Sequence, residues 1–178
     1  MNNSSDSTWV FGYGSLIWRP GFAYAEASPA LLRGAHRCLC IYSHRHRGTP
    51  EQPGLVFGLL RGGSCQGMAF RVEPERWSEV REYLREREQV TGVYREAHRR
   101  IVLGDRRQVA ALAFLVDEKH EQYAGRLDIE SQIALVREAR GASGANIEYV
   151  LNTARHLAEL GVRDRQLFEL VHRLKPGP

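Results

Sequence analysis

"TWVFGYGSLIWRPGF", residues 8–22, places Gly12, Tyr13, Gly14 and Ser15 between two apolar runs, Trp9-Val10-Phe11 and Leu16-Ile17-Trp18. This pattern reads as a short strand, Val10 to Tyr13, that runs into a tight glycine-bearing turn. Further runs rich in β-branched, aromatic or apolar residues follow at 34–43, 55–60, 65–72, 94–103 and 109–117. Turn chemistry separates several of them: "RGTPEQPG" at 47–54, "RGGS" at 61–64 and "LGDR" at 103–106. Several strands joined by short turns predict an antiparallel or mixed sheet that curls toward a barrel.

One helix is expected among the strands. Pro74 suits a first helical turn, and Trp77, Val80 and Leu84 follow at helical spacing, so "PERWSEVREYLREREQ" should be amphipathic. The last third is helical. Asp128 is placed to cap "IESQIALVREAR" and Gly141 to stop it; Asn146 to cap "IEYVLNTARHLAEL" and Gly161 to stop it; Asp164 to open "RQLFELVHRLK". No internal repeat, low-complexity tract or linker interrupts the chain, which predicts one α+β domain over residues 1–178 with 1–7 as a flexible lead.

The bulk properties narrow the class. At 178 residues, 43% hydrophobic and 26% charged, the chain is long enough to bury a core. No apolar run approaches the ~20 residues of a membrane span, and "MNNSSDS" lacks the features of a signal peptide, so the expected address is cytoplasmic, with no membrane partner. Cys38, Cys40 and Cys65 are too few and too odd for a disulfide scaffold. The net charge of +4 is spread among acidic residues rather than gathered into a basic block with aromatics. That disfavours nucleic acid and leaves a small anionic substrate as the better use of the charge.

Three glycine-loop chemistries fail on required residues. After Gly12 and Gly14 a dinucleotide loop needs a third glycine where Ile17 stands, and Pro20-Gly21 follow at once. No Gly-Lys-Ser/Thr tripeptide exists for a phosphate loop. A nucleophile elbow needs glycines two residues either side of the serine, but Ser15 has Tyr13 and Ile17, and Ser143 has Ala145 on its far side. A metal is also weighed, because His36, Cys38 and Cys40 alternate along a strand with His44 and His46 close behind. Ordinary strand packing explains that alternation better, since no second ligand cluster has zinc spacing.

The informative anomaly is a carboxylate. Glu88 stands eleven residues past Trp77 and four past Leu84, which returns it to within about 20° of Trp77 on the helical wheel. Glu86 lies opposite that stripe. A carboxyl drawn into an apolar site is tuned toward proton transfer near neutral pH. The wheel alone leaves two other readings open: a helix that ends before Glu88, or an ion pair with an arginine.

In order and spacing, "VFGYGSLIWRPGF" at 10–22, "HRG" at 46–48, "YLREREQ" at 83–89 and "GASGANIEYVL" at 141–151 resemble the ChaC-like, glutathione-specific branch of the γ-glutamylcyclotransferases. The resemblance runs from Val10 to the last helices, and the Y-G-S-L-I-W run is its most specific part. It implies a small mixed β-barrel with flanking helices. It also implies that the turn after the first strand, Val10, Phe11, Gly12, Tyr13, Gly14, Ser15 and Leu16, holds a γ-glutamyl group. The R-E step maps the catalytic glutamate onto Glu88, and the late N-x-E-Y segment places Tyr149 close to the bound glutamyl group. Where the family commonly has a glycine-rich turn and tyrosine after the glutamate, this chain has "QVTGVY", a longer connection with one glycine.

The implied reaction closes the γ-glutamyl group of glutathione on itself, releasing 5-oxoproline and Cys-Gly, with Glu88 as general base. It calls for no metal and no organic cofactor. The same chemistry on other γ-glutamyl peptides or amines, and a non-catalytic γ-glutamyl-binding protein, are the alternatives. Arg45, His46 and Arg47 are candidates to meet the substrate's second carboxylate; the competing reading is a solvated strand-end loop.

Overall fold

The computed structural model describes residues 8–88 and 91–175. The expected flexible lead at 1–7, and Gln89 and Val90 of the "QVTGVY" connection, lie outside the described residues. The elements in order are β1 (Trp9–Gly12), a 3-10 turn (Ser15–Ile17), β2 (Glu26–Ser43), β3 (Gly54–Arg71), a second 3-10 turn (Pro74–Arg76) and α1 (Trp77–Glu88). There follow β4 (Tyr94–Leu103), β5 (Gln108–Val116), α2 (Ile129–Glu138), the short β6 (Arg140–Gly141) and β7 (Gly144–Ala145), α3 (Asn146–Glu159) and α4 (Arg165–Leu174). By backbone proximity the chain falls into two units, one of residues up to Cys38 with Gly58–His120, the other of Leu39–Phe57 with the chain from Glu121 onward.

The first unit is organised by a closed barrel of order β1-β3-β2-β4-β5. β1, of four residues, is its shortest member. It runs antiparallel to β3, from Trp9 opposite Arg71 to Gly12 opposite Met68, and parallel to β5, with Val10 opposite Leu112. All four of its residues are buried, Val10 and Phe11 completely. A fully apolar run suits a strand with neighbours on both edges. Gly67 of β3 faces Gly12 so closely that a Cβ there would run into the Gly12 carbonyl.

Two strands are longer than their sequence suggests. β3 runs through "RGGS" without turning back, so the two expected runs at 55–60 and 65–72 are one strand of 18 residues. Gly62 and Gly63 both have positive φ, 95° and 71°. The glycine pair therefore bends the strand instead of reversing it, as closing a small barrel demands. β2 starts at Glu26, ahead of the expected 34–43, and Gly34 within it also has positive φ.

α1 follows its single-turn lead from Pro74 and buries Val80 and Leu84. These join Val10, Leu16, Val72, Leu112 and Phe114 in one hydrophobic cluster, with Trp77 and Tyr83 packed against it. At roughly 25 cal/mol per Å² of apolar area, such a cluster is what fixes the helix to the barrel, since propensity alone does not hold a 12-residue helix.

In the second unit α2, α3 and α4 pack on one another. Asp128 and Asp164 cap their helices as expected, accepting from the Ser131 and Leu167 amides. Gly161 follows α3 with φ 71°. Two expected end signals do other work. α2 has already ended at Glu138, and Gly141 lies in β6, where a Cβ would sit 2.5 Å from the Arg45 carbonyl oxygen. Asn146 is the first residue of α3, not its cap, and is fully buried. Its carboxamide accepts from Leu55 N–H and donates to Leu55 C=O, both at 2.7 Å, satisfying the start of β3. Replacing Asn146 with Ala strands both backbone groups, and the expected loss is about 3 kcal/mol of unfolding free energy, read from urea denaturation. A loss under about 0.5 kcal/mol would show that water takes over both bonds.

Candidate active site

The turn after β1 is braced from three sides in the first unit. The Tyr13 hydroxyl donates to Phe114 C=O of β5 at 3.1 Å. The Tyr13 carbonyl accepts from Arg37 Nε at 2.6 Å, and the same guanidinium donates to Gln66 C=O. Arg37 is only 8% exposed. It therefore belongs to the interior, in the same run as the buried Ala35, Leu39 and Cys40. Beyond Tyr13, Ile17 N–H donates to Gly14 C=O and Arg19 N–H to Ser15 C=O, closing the 3-10 turn. Gly12 is required by packing: a Cβ there would lie 2.9 Å from Leu16 Cβ.

Leu16 points down into the cluster that also holds Leu84. One helical turn further, Glu88 closes α1 with its side chain 17% exposed. Burial pushes its carboxyl above the usual carboxylate range, and the neighbouring Arg87 guanidinium partly opposes this. Both open readings of the wheel are thereby resolved: the helix reaches Glu88, and the residue pairs with an arginine without losing its raised proton affinity. Arg87 Nε lies 3.4 Å from Glu88 Oε1. Its Nη2 donates to Ser15 Oγ at 2.9 Å, and its Nη1 donates to Arg19 C=O at 2.7 Å, Pro20 C=O at 3.1 Å and Tyr83 Oη at 3.0 Å.

Of the residues singled out from sequence, Val10, Gly12, Tyr13, Gly14, Ser15, Leu16 and Glu88 thus gather around one strand end and one helix end. Val10 and Phe11 turn their side chains into the core. Arg87, Tyr83 and Arg37 carry much of the geometry and were not singled out. The R-E dipeptide was the available signal for Arg87, whereas nothing local distinguishes Arg37 from a surface arginine.

Tyr149 lies in the second unit, in the first turn of α3. Its hydroxyl accepts from Phe57 N–H at 3.1 Å, and Arg47 lies over its ring, 5.4 Å from the centroid. This unit also joins two of the sequence motifs. Ala142 N–H donates to Arg45 C=O, Ser143 N–H to His46 C=O, and Arg47 Nη1 to Ala145 C=O. Arg47 is therefore committed within its own unit; Arg45 and His46 are exposed, and the His46 ring hydrogen-bonds Ser143 Oγ through Nδ1 at 2.9 Å. Among the described residues no three His, Cys, Asp or Glu side chains gather in a metal-holding group, and no helix is long and apolar enough to cross a membrane.

A family model described as ChaC-like protein matches residues 8–176. The chain belongs to the ChaC-like family. The glutathione-specific gamma-glutamylcyclotransferase of Escherichia coli (strain K12) is 34% identical over 94% of this chain and 72% of its own length. The protein of the same name from Schizosaccharomyces pombe is 34% identical over 92% of this chain and 90% of its own. Among solved structures, the gamma-glutamylcyclotransferase specific to glutathione from yeast matches with a TM-score of 0.86 over 93% of this chain and 94% of that one. At 24% identity that match speaks for the fold, a small mixed barrel with helices.

Glu88 gives a stability test with a definite sign. Its folded pKa is raised by burial, so the folded state binds the proton more tightly than the unfolded state. Stability is unaffected below the ordinary carboxylate range and falls as pH rises from that range through the folded pKa. A Glu88→Gln protein, free of that titration, should therefore gain thermal stability relative to the parent as pH is raised from 4 to 8. Parallel melting curves across that range would mean the carboxyl is solvated.

Proposed function

We propose that this chain is a glutathione-specific γ-glutamylcyclotransferase, working as one catalytic domain on a small soluble substrate in the cytoplasm. The observation that carries the reading is a desolvated carboxyl at the end of α1, tied through Arg87 to the glycine-bearing turn after β1. The names of its relatives in E. coli and S. pombe support the choice of glutathione.

In this reading the α-amine of the γ-glutamyl group attacks its own γ-carbonyl carbon. A five-membered lactam forms, the bond from that carbon to the cysteine nitrogen breaks, and the products are 5-oxoproline and Cys-Gly. Ring closure supplies proximity, so the protein has to fold the substrate back, move protons and stabilise charge. Glu88 takes a proton from the substrate ammonium and returns one to the departing nitrogen. A carboxyl of ordinary acidity would hold that proton too weakly, and the burial of Glu88 brings its affinity nearer to the task. Backbone N–H groups of the turn Gly12–Leu16 receive the α-carboxylate.

Incubation of the purified protein with glutathione should yield 5-oxoproline and Cys-Gly in equal amounts, read by mass spectrometry. Glu88→Gln should lower kcat by about 100-fold or more. Undiminished turnover by that variant would remove Glu88 from the mechanism, and preferential turnover of γ-glutamyl amines would move the substrate assignment.

A further inference from the structure

The R-E step contributes more than its glutamate. A guanidinium that is 20% exposed is costly unless its donors are met, and Arg87 meets them in an uneven way. Nε faces Glu88 at 3.4 Å, while Nη1 and Nη2 reach Ser15, Arg19, Pro20 and Tyr83. An ion pair alone would need none of these. The fork instead closes a ring of contacts from the turn after β1, across to the last turn of α1, and back through Leu16 and Leu84 in the hydrophobic cluster.

We propose that Arg87 is the positioning residue of this site: one planar cation that clamps residues 15–20 to the end of α1 and sets a fixed positive charge against the Glu88 carboxyl. The inference rests on the reading of Glu88 as the proton-transfer group. Arginine suits the task because its donors lie in a rigid plane and it stays charged at every relevant pH; lysine offers a point charge on a flexible stem. The two roles are separable in principle. The Nη groups hold the turn, and the charge next to Nε limits how far burial raises the proton affinity of Glu88.

The other charged groups near this end of the helix are engaged elsewhere or turned away. Arg85 and Arg81 both pair with Glu96 of β4. Glu86 is exposed, and Arg19 contributes its backbone carbonyl to the Arg87 fork. Tyr83 accepts from Arg87, and Tyr94 packs on the hydrophobic cluster. Among the described residues, Arg87 is the charged group that acts on the Glu88 carboxyl.

The test separates clamp from charge. Arg87→Lys keeps the charge and loses the fork, so KM for glutathione should rise about ten-fold while the acid limb of the kcat profile stays in place. Arg87→Met loses both, so KM rises similarly and the acid limb moves to higher pH, with about ten-fold less activity than the lysine variant near pH 6. A carbon-13 titration of the Glu88 carboxyl without substrate should show the same upward displacement in Arg87→Met. That readout does not need turnover, so failure of glutathione cleavage by the parent protein would sink the functional reading while leaving the charge role decided. An unmoved acid limb and an unmoved Glu88 titration in Arg87→Met would overturn the charge role. An unchanged KM in Arg87→Lys would overturn the clamp, even if the methionine variant failed to fold.

Discussion

A barrel closed on a strand of four residues has no slack at the closing point. β1 must satisfy an antiparallel neighbour on one edge and a parallel one on the other, and every one of its side chains is buried. A one-residue slip would turn the wrong faces inward on both sides at once. The end of β1 is therefore held firmly, and the turn that follows starts from a defined place. Tyr13 reinforces this with a hydrogen bond at each end of its residue, to Phe114 through the hydroxyl and to Arg37 through the carbonyl.

The same packing sets the chemistry of Glu88. Leu84 is fully buried against Val10, Leu16 and Phe114, and a helix carries whatever stands four residues later onto the same face. A glutamate there loses water and holds its proton more tightly. Its neighbour Arg87 pulls the other way. The resulting affinity is a balance of two opposed effects, desolvation and a single adjacent cation, with desolvation the larger. The carboxyl is thus adjustable by small changes that leave the fold intact.

Reading ahead from sequence worked where a local signal had one physical meaning. The apolar run before Gly12, the helical spacing of Trp77, Val80 and Leu84, and the caps at Asp128 and Asp164 all had such meanings. It failed where a residue serves a distant partner. "RGGS" has the composition of a turn, but in a strand that must curl around a barrel its glycines supply bend. Asn146 looks like a cap, but its carboxamide pairs with the backbone of Leu55, 91 residues away. Arg37 carries no local sign of its role, and its buried bonds to Tyr13 and Gln66 reach residues 24 and 29 positions away along the chain.

The amino-acid order by itself determined the family, the expectation of a barrel with helices, and the placing of Glu88 on the apolar side of its helix, because motif order and helical periodicity are properties of the chain. Only the tertiary structure decided that this carboxyl is desolvated, that Ser15 is a partner of Arg87, and that Gly12 is demanded by Leu16. Each of these depends on which atoms meet through space after the chain has closed on itself, and on the water those contacts exclude.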